Sequence, residues 1–133
     1  MCAALATLRK LMDPKLGVYK RLERLGAALQ AGQEEIFRCH GVRAVVSRVG
    51  SASCVYFMDR PPTNWWEIAT LHNMAADKAF RLSLIQRGIY QIPIPTKQAS
   101  VSFAHTDDDI ARTLKATDEA ISGLKHSHPQ LFQ

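Results

Sequence analysis

Apolar positions recur at helical spacing in the first dozen residues: Leu5, Leu8 and Met12 share one stripe, which stops at Asp13-Pro14. This spacing predicts a helix over 1–12. No Ser, Thr, Asp or Asn precedes its first turn to accept the free N–H groups, so the chain opens already inside the apolar pattern. Asp13 is placed to cap a second helix, with Pro14 at the first helical position, where a missing N–H costs nothing. That helix runs to about His40. Leu16, Tyr19, Leu22, Leu25, Ala28, Leu29 and Ile36 line one face, while Lys20, Arg21, Glu23, Arg24, Gln33 and Glu34 fall largely on the other. Gly41 is its left-handed stop.

From Val42 the period falls to two. Val42, Ala44 and Val46 alternate with Arg43, Val45 and Ser47, and a second run, Ser53 to Met58, is rich in Val, Tyr and Phe. With Gly50-Ser51 between them the two runs predict a hairpin. Asp59 to Thr63 is a loop, since its prolines cannot donate to a sheet, and a short helix follows from Trp65 to His72. A longer helix spans Ala75 to Arg87, with Ala79, Phe80, Leu82, Leu84 and Ile85 as its buried positions and Gly88 as its stop. Ile89 to Ile92 is a candidate short strand, and Ala99 to Ala104 is a clear one, with Val101 and Phe103 on one face and Ser100 and Ser102 on the other. Thr106 caps the last helix, where Asp109 completes a capping-box pattern and Ile110, Leu114, Thr117, Ile121 and Leu124 form the stripe. The tail from Lys125 to Gln133 has no period and is expected to fray.

These elements predict an α+β fold. A small antiparallel sheet of three strands, four if Ile89–Ile92 pairs, carries the helices beginning near Pro14, Ala75 and Asp107 on one face. At 133 residues and 47% apolar content the chain suits one domain rather than two. No run approaches the roughly 18 apolar residues of a membrane span, and the first residues lack the order of a signal peptide, so the expected location is the cytoplasm. The three cysteines, Cys2, Cys39 and Cys54, have no CxxC spacing and are expected reduced and mostly buried. The formal charge of +5 suits weak attraction to anions. Basic and aromatic residues are spread over every segment rather than gathered on one surface, which argues against nucleic-acid binding.

Chemistry-bearing residues are sparse. His126 and His128 are close only to each other, so the histidines predict no metal site, and Asp107, Asp108 and Asp109 are explained by capping a helix N-terminus. His105, between strand end and helix start, is placed to meet an anion or to hydrogen-bond the backbone and fix the turn; the second is the stronger reading. Trp65 and Trp66 are expected to close a core edge, one of them partly exposed. No nucleophile with a base, Gly-rich phosphate loop or GxSxG turn is present.

Val42 to Met58 (VRAVVSRVGSASCVYFM), Arg87-Gly88-Ile89-Tyr90 and above all Lys97 to Asp109 (KQASVSFAHTDDD) resemble the C-terminal end of the glutamate-1-semialdehyde 2,1-aminomutase family, class III aminotransferases of the PLP fold type I. The resemblance covers residues 1–124 and leaves 125–133 as a flexible tail; it makes 1–12 the remnant of an inter-domain helix. It implies that PLP is the parent cofactor, and that the Schiff-base lysine, phosphate loops and pyridine-facing acid lie upstream, so that this chain has no catalytic or cofactor-binding residues of its own. Lys97 takes the place of the family's loop glutamate, and relatives with "KQ-S-S-AHT" fit Lys97-Gln98. Other class III branches carry a carboxylate-binding arginine near Ser102. Lys97, Ser102 and His105 are therefore the candidate substrate contacts. The implied partner is the missing PLP-binding domain or a second copy of the chain, with Leu5, Leu8, Met12 and Trp65 as the self-association patch.

Overall fold

The computed structural model describes residues 2–132. In chain order it contains α1 (Cys2–Met12), α2 (Val18–Cys39), β1 (Val45–Val49), β2 (Ala52–Tyr56), α3 (Trp65–Leu71), α4 (Met74–Gln86), β3 (Ala99–Ser100), α5 (Asp107–Ser127) and a short 3-10 helix, Pro129–Phe132. The sheet is antiparallel in the order β1-β2-β3, with Val46 opposite Val55 and Ser53 opposite Ala99. Among the described residues three strands pair, without a fourth. Ile89–Ile92 runs as irregular chain, and the expected 99–104 strand pairs only at Ala99 and Ser100 before Val101 N–H reaches Ser51 O at 3.0 Å.

Helix α2 starts four residues later than Asp13-Pro14 predicts. The Asp13 carboxylate accepts from Lys15 N–H at 2.9 Å and Leu16 N–H bonds Asp13 O, which closes a turn instead of a helix. Gly17 then adopts φ 56°, a left-handed conformation open to glycine, and propagation begins at Val18. At the other end Gly41 closes the helix as predicted, with Val42 N–H on Phe37 O at 2.8 Å and Gly41 N–H on Arg38 O at 3.0 Å.

The core lies between the sheet and a layer of α2, α5 and α4. Phe37, Phe57 and Phe80 meet edge to face with centroids 5.6 to 5.9 Å apart, and Val46, Val55, Leu84, Ala120 and Ile121 close around them. A second cluster joins Leu25 and Leu29 to Val101 and Ile110. The α2 face is rotated from its predicted stripe: Tyr19 and Ala28 are exposed, while Gln33 is buried. In α4 the polar pair Asp77 and Arg81 is buried beside Phe80 and Leu84, and Leu82 points to solvent.

Three further expectations change. Cys2 and Cys39 are exposed and Cys54 half-buried, all with free thiols. Both tryptophans are exposed, because α3 is a single short helix that buries no residue. The expected frayed tail instead continues α5 to Ser127, and its 3-10 helix lays Leu131 and Phe132 on the core. Asn73 Nδ2 donates to Leu131 O at 2.9 Å and the Phe132 ring lies 6.1 Å from Phe57. No described helix is long and apolar enough to cross a membrane.

Candidate functional site

Ser102 and His105 are brought together by the turn between β3 and α5. Ser102 N–H donates to His105 Nδ1 at 3.0 Å, Ser102 Oγ lies 2.9 Å from the same nitrogen, and His105 N–H returns a bond to Ser102 O at 3.1 Å. Since Nδ1 accepts a backbone N–H, the ring carries its proton on Nε2. Arg21 adds a bond from its guanidinium to His105 O at 2.9 Å and stacks 5.1 Å above the Phe103 ring, tying the turn to α2. The imidazole thus fixes the turn. It also borders a cavity of about 210 Å³ with Tyr90, Gln98 and Ile110.

Thr106 closes the turn and opens α5. Its hydroxyl accepts from Asp109 N–H at 3.2 Å, and the Asp109 carboxylate accepts from Thr106 N–H at 2.8 Å. The Thr106 N–H, and with it the Thr106 hydroxyl donating at 2.8 Å, hold the Asp109 carboxyl below its usual range. Asp107 forms a two-armed pair with Arg24 at 2.5 and 3.0 Å. Asp109 is therefore spent on capping and Asp107 on α2, while Asp108 is exposed, and among the described residues no group of three His, Cys, Asp or Glu side chains could hold a metal.

Lys97 is exposed and does not line the His105 cavity; its neighbour Gln98 does. Gln98 also borders a concavity of about 360 Å³ over β1 and β2, lined by Ser47, Cys54, Tyr56 and Thr96. There burial, with a bond to the Cys54 thiol, pushes the Tyr56 phenol up to about 12, so it stays a neutral donor. Ser53 and Gln98 line both hollows.

Sequence reasoning missed the groups that hold this loop. His72, Asp77 and Arg81 form a cluster whose side chains are almost wholly buried. Asp77 accepts from Arg81 Nε at 2.6 Å, from Thr96 N–H at 2.7 Å and from His72 Nε2 at 3.1 Å, while His72 Nδ1 accepts Phe57 N–H at 3.0 Å. Burial alone would raise the Asp77 carboxyl, but the bonds from His72, Thr96 and Arg81 together outweigh it and hold it below its ordinary value. One signal was available: Asp77 and Arg81 stand four apart in register with Phe80 and Leu84, on the stripe that faces the core.

The residues expected to self-associate do not form one packed patch. Leu5, Leu8 and Met12 are 50%, 54% and 78% exposed on α1, which buries nothing, and no substantial packing joins α1 to the exposed Trp65 of α3.

No protein-family model matches the chain. Curated relatives do. A glutamate-1-semialdehyde 2,1-aminomutase of Akkermansia muciniphila is 36% identical over 124 residues, covering 93% of this chain and 28% of that protein. One of Thermus thermophilus is 38% identical over 121 residues, with 91% and 28% covered. The chain is a relative of the glutamate-1-semialdehyde aminomutases. It spans about 28% of the length of these aminomutase relatives. Among solved structures, the PLP internal aldimine form of a Sphingopyxis protein, FumI, superposes with a TM-score of 0.75 at 28% identity, over 97% of this chain and 29% of that one. An omega-transaminase from Sphaerobacter thermophilus superposes with a TM-score of 0.77 at 24% identity, which establishes a shared fold. The α+β architecture is therefore that of one segment of PLP transaminases.

Proposed function

We propose that this chain serves as the small domain of an aminomutase-like PLP-dependent aminotransferase and performs no transamination by itself. Residues 1–124 correspond in this reading to the family's C-terminal domain, with 1–12 as the helix between domains. The observation that carries the reading is the coverage: 93% of the chain aligns within 28% of the relative's length.

The chain's own residues do not fit PLP. A Schiff-base lysine works from a dry pocket, beside donors for the phosphate and an acid for the pyridine nitrogen, and every lysine here is exposed. The proposed task of the domain is to cover an active site held elsewhere. The 92–98 loop and the Ser102–His105 turn supply the surfaces that face substrate. Lys97 puts a cation where the aminomutases carry a glutamate, so the preferred substrate group at that point is anionic. Ser102 offers a hydroxyl, and His105 holds the turn with its Nε2–H left to donate. We place the domain in the cytoplasm.

The test is spectrophotometric titration of the purified chain with PLP, followed by borohydride reduction and peptide mapping. Diffuse, unsaturable labelling of surface lysines is the expected result. A saturable adduct on one lysine, or turnover of an amino donor, refutes the proposal. A second reading, an assembly module that pairs through α1, is favoured by the exposure of Leu5, Leu8 and Met12.

A further inference from the structure

The buried polar cluster of α4 is not needed to pack the helix, because Ala76, Phe80 and Leu84 already seat it on α5 and the sheet. An ion pair in that position is costly to desolvate, and apolar residues of similar size commonly serve stability as well or better. The contacts of Asp77 and Arg81 point to a different role. Asp77 accepts Thr96 N–H, and Arg81 Nη1 reaches Ile92 O at 3.3 Å, so the two side chains hold both ends of the 92–96 loop against α4. Inside that span Ile94 N–H bonds Ile92 O at 2.8 Å, and Lys97 N–H bonds Ile94 O at 3.3 Å. Thr96 has φ 62°, and among the described residues no other non-glycine residue has a positive φ. Such a conformation persists where its surroundings over-determine it. Here the determinant is the Asp77 carboxylate at 2.7 Å, itself oriented by His72 and Arg81. Lys97 follows directly, and β3 begins two residues later.

We infer that Asp77, aided by Arg81 and His72, is a positioning residue that locks the strained Thr96 and so sets where the 92–98 loop presents Lys97. Its functional weight rests on the proposed role of Lys97, but the lock itself does not. All three groups around Asp77 donate, so no neutral side chain reproduces its three-way satisfaction of His72, Arg81 and the loop.

The test is the double variant Asp77→Ala with Arg81→Met, in the isotope-labelled chain, compared with the unmodified chain by amide hydrogen exchange and NMR. Removing both charges avoids leaving either one buried alone. The expected result is exchange at Thr96 and Lys97 faster by about tenfold or more, with amides of α2 and α5 unchanged, the pattern of a local rather than global opening. The Thr96 amide proton also moves upfield as its charged acceptor is lost. Unchanged exchange at Thr96, or loosening of loop and core in equal measure, overturns the inference. Should the double variant not fold, Arg81→Lys keeps a cation for Asp77 and removes the arm to Ile92. Faster exchange at Ile94 and Lys97 with Thr96 still protected then supports the lock, and no change in the loop refutes it. A PLP adduct in the earlier titration would sink the proposed function and leave these results standing.

Discussion

Three glycines lie inside helices, and intrinsic propensity alone makes Gly→Ala favourable at each by about 1 kcal/mol. The tertiary structure reverses the sign at one of them. A Cβ on Gly26 would stand 2.5 Å from Gly50 O and 3.3 Å from both Arg48 Cδ and Ser51 Cα, where α2 crosses the hairpin turn. The first of these is backbone in a turn further held by Arg48 Nη1 on Gly50 O at 2.5 Å, so neither side yields cheaply. Overpacking of this kind costs about 1–3 kcal/mol, which exceeds the propensity gain over most of that range. Gly26→Ala is therefore expected to lower stability by about 1 kcal/mol. At Gly32 the nearest atoms are the Leu114 methyls at 2.5 Å, a flexible side chain that can turn away, and a near-neutral change is expected. At Gly123 the nearest atom is an Arg87 guanidinium nitrogen at 3.4 Å, an ordinary contact, and Gly123→Ala should raise stability by about 0.5–1 kcal/mol. Urea unfolding followed by circular dichroism, with midpoints compared at a common slope, gives the three values. Finding Gly26→Ala as stable as Gly123→Ala would refute the close approach of α2 to the hairpin.

Thr106→Ala removes the hydroxyl that accepts Asp109 N–H and should cost about 1 kcal/mol in the same assay, a loss that Thr106→Ser largely avoids. Glu67, bonded by Arg60 and by Thr63 N–H, should titrate at about 2 when followed by carbon NMR, and Arg60→Ala should raise that value. Because the folded value is depressed, these contacts contribute above the ordinary carboxylate range and are lost as pH falls through about 2. Sedimentation should find the chain self-associated at high micromolar concentration, with Leu8→Glu plus Met12→Glu monomeric; a stable monomer of the unmodified chain would dismiss the α1 pairing.

The candidate site was legible in part. Lys97, Ser102 and His105 are legible because the run from Lys97 to Asp109 resembles a family, and the hydrogen bonds of Ser102 and His105 give the turn its physical reason. His72, Asp77 and Arg81 did not stand out, because charged and imidazole side chains normally face water, and a sequence does not say which charges find partners. Asp77 meets Thr96 at a sequence separation of 19, a contact made only by the folded path of the loop. Gln98 borders both hollows, yet an uncharged amide beside Lys97 carries no signal in the sequence that sets it apart.

Local chemistry in the sequence determined the elements whose limits depend on near neighbours. The Gly41 stop, the Gly50-Ser51 hairpin, the Thr106–Asp109 capping box and the α5 stripe each arise from hydrogen bonds or periodicity within a few residues. Tertiary structure decided what depends on distant partners. It shortened the third strand to Ala99 and Ser100, left Ile89–Ile92 unpaired, drew Leu131 and Phe132 onto Phe57, and buried Asp77 with Arg81. In each of these cases the competing local states differ little in free energy, and burial against a remote surface supplies the difference.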